Sequence, residues 1–205
     1  MRRQPRVYLA GPDVFFPEPL AWAQRKQAIC QRHGLVGVSP LDELANDPEA
    51  WAAAPEWQRL AFRNEAHIRG CDAVIANLTP FRGPSADVGT VYEVGFARAL
   101  GRPVFGYATT SVRFRERTLD HIGASIRQDS NGLFWDPDGL LVEEFGLFDN
   151  LMIEGAIAGS GGRLVLEDCP PGHRWGNLTA FECCVKAAGA WFQNAATPTQ
   201  VGGQQ

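Results

Sequence analysis

Between Ala73 and Gly101 the chain passes from a short apolar run, Ala73-Val74-Ile75-Ala76, through a loop and into a helical stretch that stops at a glycine. An apolar run this short and unbroken reads as a strand buried on both faces, and such strands belong to parallel sheets. Parallel strands need crossover connections, usually helices, so this one unit commits the chain to an α/β fold. The segment after the run ends in two carboxylates, Asp87 and Glu93, with Gly83, Gly89 and Gly95 thinning the backbone around them. Open α/β sheets hold their ligands outside the carboxyl ends of the strands. Two acids delivered there mark a candidate site, and a catalytic one.

The alternation extends in both directions. Strands are predicted at Arg6 to Ala10, Leu35 to Ser39, Asp72 to Leu78 and Pro103 to Tyr107. Helices are predicted over Glu18 to Arg32, Glu56 to Arg69 and Asp87 to Leu100. In the second of these Trp57, Leu60, Ala61, Asn64 and Ile68 recur at helical steps. From Ala108 to Asp149 the periodicity fades, and Asp129-Ser130-Asn131-Gly132 and Asp136-Pro137-Asp138-Gly139 are turn chemistry that frames a hairpin-like excursion. Asn150 to Ala158 reads as a helix, Arg163 to Leu166 as a fifth strand and Leu178 to Phe192 as a closing helix. The expected architecture is a flavodoxin-like or Rossmann-like three-layer α/β fold around a central parallel five-stranded sheet. With 205 residues there is enough chain for one full core, so residues 1–192 are expected to form a single domain. Residues 193–205, with Pro, Gly and Gln and little to bury, are expected to be disordered.

A net charge of -4 leaves no basic footprint for a nucleic acid, so a small-molecule partner is expected instead. The apolar run after the basic start is cut at Gly11-Pro12-Asp13, too short for a signal peptide. No stretch approaches the roughly 18 to 20 apolar residues that span a bilayer. A cytoplasmic protein with no membrane partner is expected. The five cysteines lack the spacing of a disulfide framework or a zinc site: Cys183 and Cys184 are adjacent on a helix, and Cys30 and Cys71 read as small core fillers. His33, His67, His121 and His173 are scattered, so neither metal nor cofactor is expected.

Three segments must converge for a site to form: Tyr8-Leu9-Ala10-Gly11-Pro12, the Asp87/Glu93 unit, and Asp149-Asn150-Leu151-Met152. Together with Phe81-Arg82-Gly83-Pro84-Ser85 and the run Asp87-x-Gly89-Thr90-x-x-Glu93-x-Gly95, they resemble the nucleoside 2-deoxyribosyltransferase family. The resemblance runs from Arg6 to about Gly155, with gaps around residues 40 to 55 and 110 to 135. It implies cleavage of the N-glycosidic bond of a 2′-deoxynucleoside and transfer of the sugar to another free nucleobase. It also implies Glu93 as nucleophile, Tyr8 as the hydroxyl that orients it, and Asp87 as the site aspartate near sugar and base. The substrate-binding set it implies includes Gly11, Pro12, Gly83, Ser85 and Gly89. Asn150 and Met152, by the same resemblance, are supplied to the active site of a neighbouring subunit, so a homo-oligomer is expected.

Chemistry supports the nucleophile independently. A nucleobase is a poor leaving group, so the attacked carbon develops oxocarbenium character that a carboxylate can stabilise and capture. A covalent intermediate then splits one hard displacement into two easier ones. The competing reading of Glu93 is a solvated helix glutamate, but Gly89, Gly95 and Ala97 leave its face bare, as a ligand-facing surface would be. Tyr8 is otherwise a core aromatic, and Asp87 otherwise a helix N-cap, a role compatible with catalysis.

One departure from the family pattern stands out. Where many members carry a base-contacting aspartate, this chain has Asn64, with Glu65 beside it. An amide offers a donor and an acceptor to a base edge but no comparable proton, which leaves base protonation to Asp87, Glu65 or water. Phe15 and Phe16 are candidates to stack on the base, or to wedge between helix and sheet. Arg82, the lone cation of its loop, reads as structural, pairing with an acid or with loop carbonyls. The rivals to transfer are hydrolysis of a deoxynucleoside or its 5′-monophosphate, and a nucleotide-sensing module without activity.

Overall fold

The computed structural model describes residues 3–44, 48, 51–170 and 172–196. In chain order the elements are β1 (Arg6–Ala10), α1 (Pro19–Arg32), β2 (Val36–Val38), α2 (Glu56–Arg69), β3 (Ala73–Asn77) and α3 (Val88–Ala99). Then follow β4 (Val104–Ala108), α4 (Phe114–Ile122), β5 (Arg127–Gln128), β6 (Phe134–Trp135), α5 (Leu151–Gly159), β7 (Leu164–Leu166) and α6 (Thr179–Ala196). A short 3-10 turn, Pro12–Phe15, links β1 to α1.

Five strands form one sheet in the order β2-β1-β3-β4-β7, and every pairing in it is parallel. This is the flavodoxin-like order, a three-layer α/β fold as expected. All residues of β3 and β4 are buried, because helices cover both faces. The period of two sorts the strands cleanly. Tyr8, Ala10, Val74, Ala76 and Val104 point to one side, where Ile68 of α2, Val94 and Ala97 of α3, and Ile153 and Ile157 of α5 meet them. Val7, Leu9, Ile75, Phe105 and Tyr107 point to the other, against Ile29 and Cys30 of α1 and Phe181, Cys184 and Val185 of α6. Gly106 of β4 is required by close approach: a Cβ there would sit 2.7 Å from Leu78 and 2.9 Å from Ile157.

Two departures from the sequence reading have simple causes. Helix α4 lies within the stretch that showed no periodicity, and it buries none of its residues, so no apolar stripe marks it. Helix α6 continues to Ala196, past the expected end of the domain, because a helix already fixed on the core by Trp191 and Phe192 gains a backbone hydrogen bond for each residue added. The rest of the expected disordered tail, 197–205, lies outside the described residues. The hairpin-like excursion is present as the antiparallel pair β5 and β6. All five cysteines are free thiols; burial pushes Cys30 and Cys71 up to about 12. No described helix is long and apolar enough to cross a membrane.

Candidate active site

Strand order reverses between β1 and β3, and in this sheet type the crevice at that switch point is where ligands bind. Tyr8 comes from β1 and is fully buried. Its hydroxyl donates to Glu93 Oε1 at 2.6 Å, joining strand to helix α3 across 85 residues of sequence. The Asn64 amide, on α2, donates to the same oxygen at 3.4 Å. Among the described residues no hydrogen bond reaches Glu93 Oε2. Two donors on one carboxylate oxygen hold the group in place and leave the other oxygen to act.

Glu93 is itself nearly buried, and burial pushes its carboxyl up to about 7, with the Asp87 charge adding to the rise and the Tyr8 bond opposing it. Burial and the neighbouring Glu93 likewise raise the Tyr8 phenol well above its ordinary range, so it stays a donor. Behind Tyr8 lies the ring of His67, stacked at 6.4 Å between centroids, its Nε2 3.0 Å from the Asp42 carbonyl oxygen. Burial lowers the His67 pKa, favouring the neutral ring. His67 was legible in the sequence only as one of four scattered histidines.

Asp87 caps α3. Its Oδ2 accepts from the Thr90 amide at 2.9 Å and from the Thr90 hydroxyl at 3.0 Å, leaving Oδ1 without a bond among the described residues. Gly89 lies against this cap, where a Cβ would come 3.1 Å from Asp87 Oδ2. The expectation that Ala97 belongs to a bare ligand face is corrected: Ala97 is fully buried in the core, while a Cβ on Gly95 would meet open space. Glu65 accepts from the Tyr92 hydroxyl at 2.5 Å and pairs with Arg69, so it is occupied on the outer surface of α2 and α3.

The loop after β3 is anchored by a residue that sequence reasoning named only as part of a segment. Asp149 is fully buried. Its Oδ1 accepts from the Ser85 hydroxyl at 2.5 Å and the Asn150 amide at 2.8 Å; its Oδ2 accepts from the Ala86 amide at 3.1 Å and Arg117 Nη2 at 3.3 Å. The Ser85 hydroxyl is thus spent on the scaffold. Gly83 faces open space. Arg82 has φ 54, in the left-handed region, and its guanidinium lies over the rings of Phe81 at 4.6 Å and Phe15 at 5.2 Å. The expected partners, an acid or loop carbonyls, are replaced by these aromatic faces.

Phe15 and Phe16 part ways. Phe15 is 58% exposed and stacks on Phe81 at 5.5 Å, while Phe16 meets Trp22 and Trp175 edge-on. These rings line a cavity of about 680 Å³ together with Arg25 and Arg82. On the other side of Arg82 a cavity of about 570 Å³ is lined by Gly83, Thr110, Arg117, Asp120 and Arg174. Glu93 lines neither. Gly11 packs tightly on β3, where a Cβ would come 2.8 Å from the Asn77 Cβ, and Pro12 beside it is buried. Asn150 caps α5: its side chain accepts from the Met152 amide at 3.0 Å and donates to Glu143 at 2.7 Å. Met152 is 71% exposed, and within the protomer no hydrogen bond joins Asn150 to Glu93, Tyr8 or Asp87 among the described residues.

This arrangement matches a known family. The family model described as nucleoside 2-deoxyribosyltransferase matches residues 7–152, which span β1, the Asp87/Glu93 unit and the start of α5. The chain belongs to the nucleoside 2-deoxyribosyltransferase family. A 2-deoxyribosyltransferase from Leishmania mexicana superposes with a TM-score of 0.54 at 31% identity, covering 76% of this chain and 95% of that one. An uncharacterized protein of Schizosaccharomyces pombe is 31% identical over 172 residues, covering 80% of this chain and 82% of the relative. The buried Tyr8–Glu93 pair lies within the span matched to the 2-deoxyribosyltransferase family, and Arg174 and Trp175 lie beyond it.

Proposed function

We propose that this chain transfers the 2-deoxyribosyl group between nucleobases through a covalent intermediate on Glu93. The observation that carries the reading is the buried 2.6 Å bond from the Tyr8 hydroxyl to Glu93 Oε1 at the switch point of the sheet. In the first step Glu93 Oε2 bonds to C1′ as the glycosidic bond breaks, and the departing base takes its electron pair and a proton, for which the donor is the protonated form of Asp87, through its unbonded Oδ1, or water. In the second, a ring nitrogen of the incoming base attacks C1′ and gives its proton back to the donor of the first step, the Asp87 carboxylate or water, as the Glu93 carboxylate leaves. Two inversions give net retention. Desolvation raises the energy of the Glu93 anion, which favours its attack, and the Tyr8 bond keeps that anion oriented.

Asn64, in this reading, serves the nucleophile before it serves the base. The pocket is completed in a cytoplasmic homo-oligomer, with Asn150 and Met152 reaching the substrate of the adjacent protomer. The exposure of Met152, beside the Asn150 cap of α5, supports this reading. The substrates are deoxynucleosides and free bases, in nucleoside salvage.

Hydrolysis uses the same first step, with water as the second nucleophile. Arg174 adds a cation beside Arg82, but Arg117 is spent on Pro84, Val112 and Asp149, and Glu116 and Asp120 line the same cavity. A 5′-phosphate therefore finds a mixed surface, and transfer between nucleosides ranks first. Incubation with deoxyinosine, with and without adenine, decides the matter. Deoxyadenosine formed with adenine present supports transfer, hypoxanthine released equally in both supports hydrolysis, and no reaction with deoxyinosine or with its 5′-monophosphate removes the enzymatic reading.

A further inference from the structure

Lysine is almost never fully buried, yet Lys26 in the middle of α1 is 1% exposed. A charge survives such burial when it is paired, and Lys26 Nζ contacts Asp13 Oδ2. The ammonium also lies over the ring of Phe181 at 4.7 Å and that of Tyr107 at 5.5 Å. The second Asp13 oxygen accepts from the Asn77 amide at 3.1 Å, and Asn77 in turn accepts from the Thr79 amide at 3.1 Å. One ion pair thus joins the turn after β1 to α1, the end of β3, β4 and α6.

Apart from the buried Pro12 and the ring contacts of Phe15 and Phe16, this pair is the turn's polar tie to the sheet and α1. Pro12–Phe15 is a single 3-10 turn closed by the Phe16 amide on the Asp13 carbonyl at 3.1 Å. It nevertheless carries Phe15 and Phe16, the rings that line the aromatic cavity with Phe81 and Trp175. A one-turn helix has no intrinsic stability to fix side chains in place, so an outside anchor must.

We infer that Asp13 and Lys26 are a positioning pair, which pins the Gly11–Phe16 turn over the carboxyl ends of β1 and β3 and thereby sets how tightly a nucleobase is held. This rests on the proposed reading of Glu93 acting on a deoxynucleoside. Neither residue touches the reacting atoms. The pair governs KM for the nucleoside, and leaves the rate of the bound complex nearly alone.

The test compares Asp13→Asn, Lys26→Met and the double variant with the wild type. The readouts are kcat and KM for deoxyinosine with adenine, and amide hydrogen exchange over residues 11–16 without substrate. Each single variant should raise KM about tenfold or more, as a misplaced binding wall does, with kcat little changed and exchange over the turn faster. The double variant removes both charges, so it should recover much of the KM and some of the protection; it also serves if a single variant fails to fold. Variants that melt earlier with unchanged KM and unchanged exchange over the turn would reduce the pair to core stability and overturn the inference. So would a loss confined to kcat. An inactive wild type would defeat the proposed function, while the exchange comparison would still decide whether the pair holds the turn.

Discussion

As the proposed nucleophile, Glu93 would serve reaction and fold in opposite directions. Its carboxyl has an ordinary value of 4.5 and is held at about 7 in the fold, chiefly by burial. Below pH 4.5 both folded and unfolded chains carry it protonated, and burial exacts no charge penalty. Between 4.5 and about 7 the folded state keeps a proton that the unfolded state has released, so stability falls as pH rises, and the loss is complete above about 7. A rise from 4.5 to about 7 corresponds to about 3 kcal/mol. Glu93→Gln should therefore gain stability near that size in urea unfolding at about pH 8, and much less at about pH 5. A gain equal at both pH values would show that ionisation is not its source. The same substitution should lower base exchange to below about a hundredth of wild type, since an amide is a poor nucleophile. In the wild type kcat/KM for deoxyinosine should fall as pH drops below about 7, tracking the ionised fraction of Glu93 in the free enzyme. A profile flat to pH 5.5, about the foot of that titration, would mean Glu93 does not attack as the anion.

At the scale of elements, two carboxylates do mechanical work that can be separated from chemistry. Asp87 holds the first turn of α3 through Thr90. Asparagine caps about as well as aspartate, whereas alanine costs about 1 kcal/mol. Asp87→Asn should keep the melting temperature and Asp87→Ala should lower it. Equal losses of exchange activity in both would assign the carboxylate a part in the reaction, and a loss that follows stability would leave it a cap. Asp149 holds more. It ties the loop at Ser85 and Ala86 to the start of α5 and neutralises Arg117, which is itself almost buried. Asp149→Ala leaves that guanidinium without a carboxylate, which should cost about 3 to 5 kcal/mol in denaturant unfolding. A cost under about 1 kcal/mol would mean that Pro84 and Val112 carbonyls already satisfy Arg117.

At the scale of the whole molecule, α2, α3 and α5 share one side of the sheet and present Trp57, Val88, Tyr92 and Met152 to solvent, each more than half exposed. A second copy covering that face would bring a Met152 and an Asn150 toward each Glu93. Mixing inactive Glu93→Ala chains with weak Asn150→Ala chains, then verifying the mixed oligomers, should restore activity, because some pockets pair an intact Glu93 with an intact Asn150. Verified mixed oligomers without recovery would mean that one chain builds the whole pocket.

Local periodicity and turn chemistry were enough to place the strands of the main sheet, five of the six α-helices among the described residues and the acidic loop, because burial on two faces or on one stripe writes itself into neighbouring residues. Glu93 was legible for the same reason, standing in a motif between glycines. Helix α4 was not legible, since none of its apolar residues is fully buried. The tertiary structure alone decided that Tyr8 and Asn64 share one oxygen of Glu93, that His67 backs Tyr8, and that Lys26 reaches Asp13. Each of these joins segments that only the sheet order brings together, and each is a polar contact whose value comes from exclusion of water. A sequence shows which groups are present. Which of them are desolvated, and against what, is set by packing.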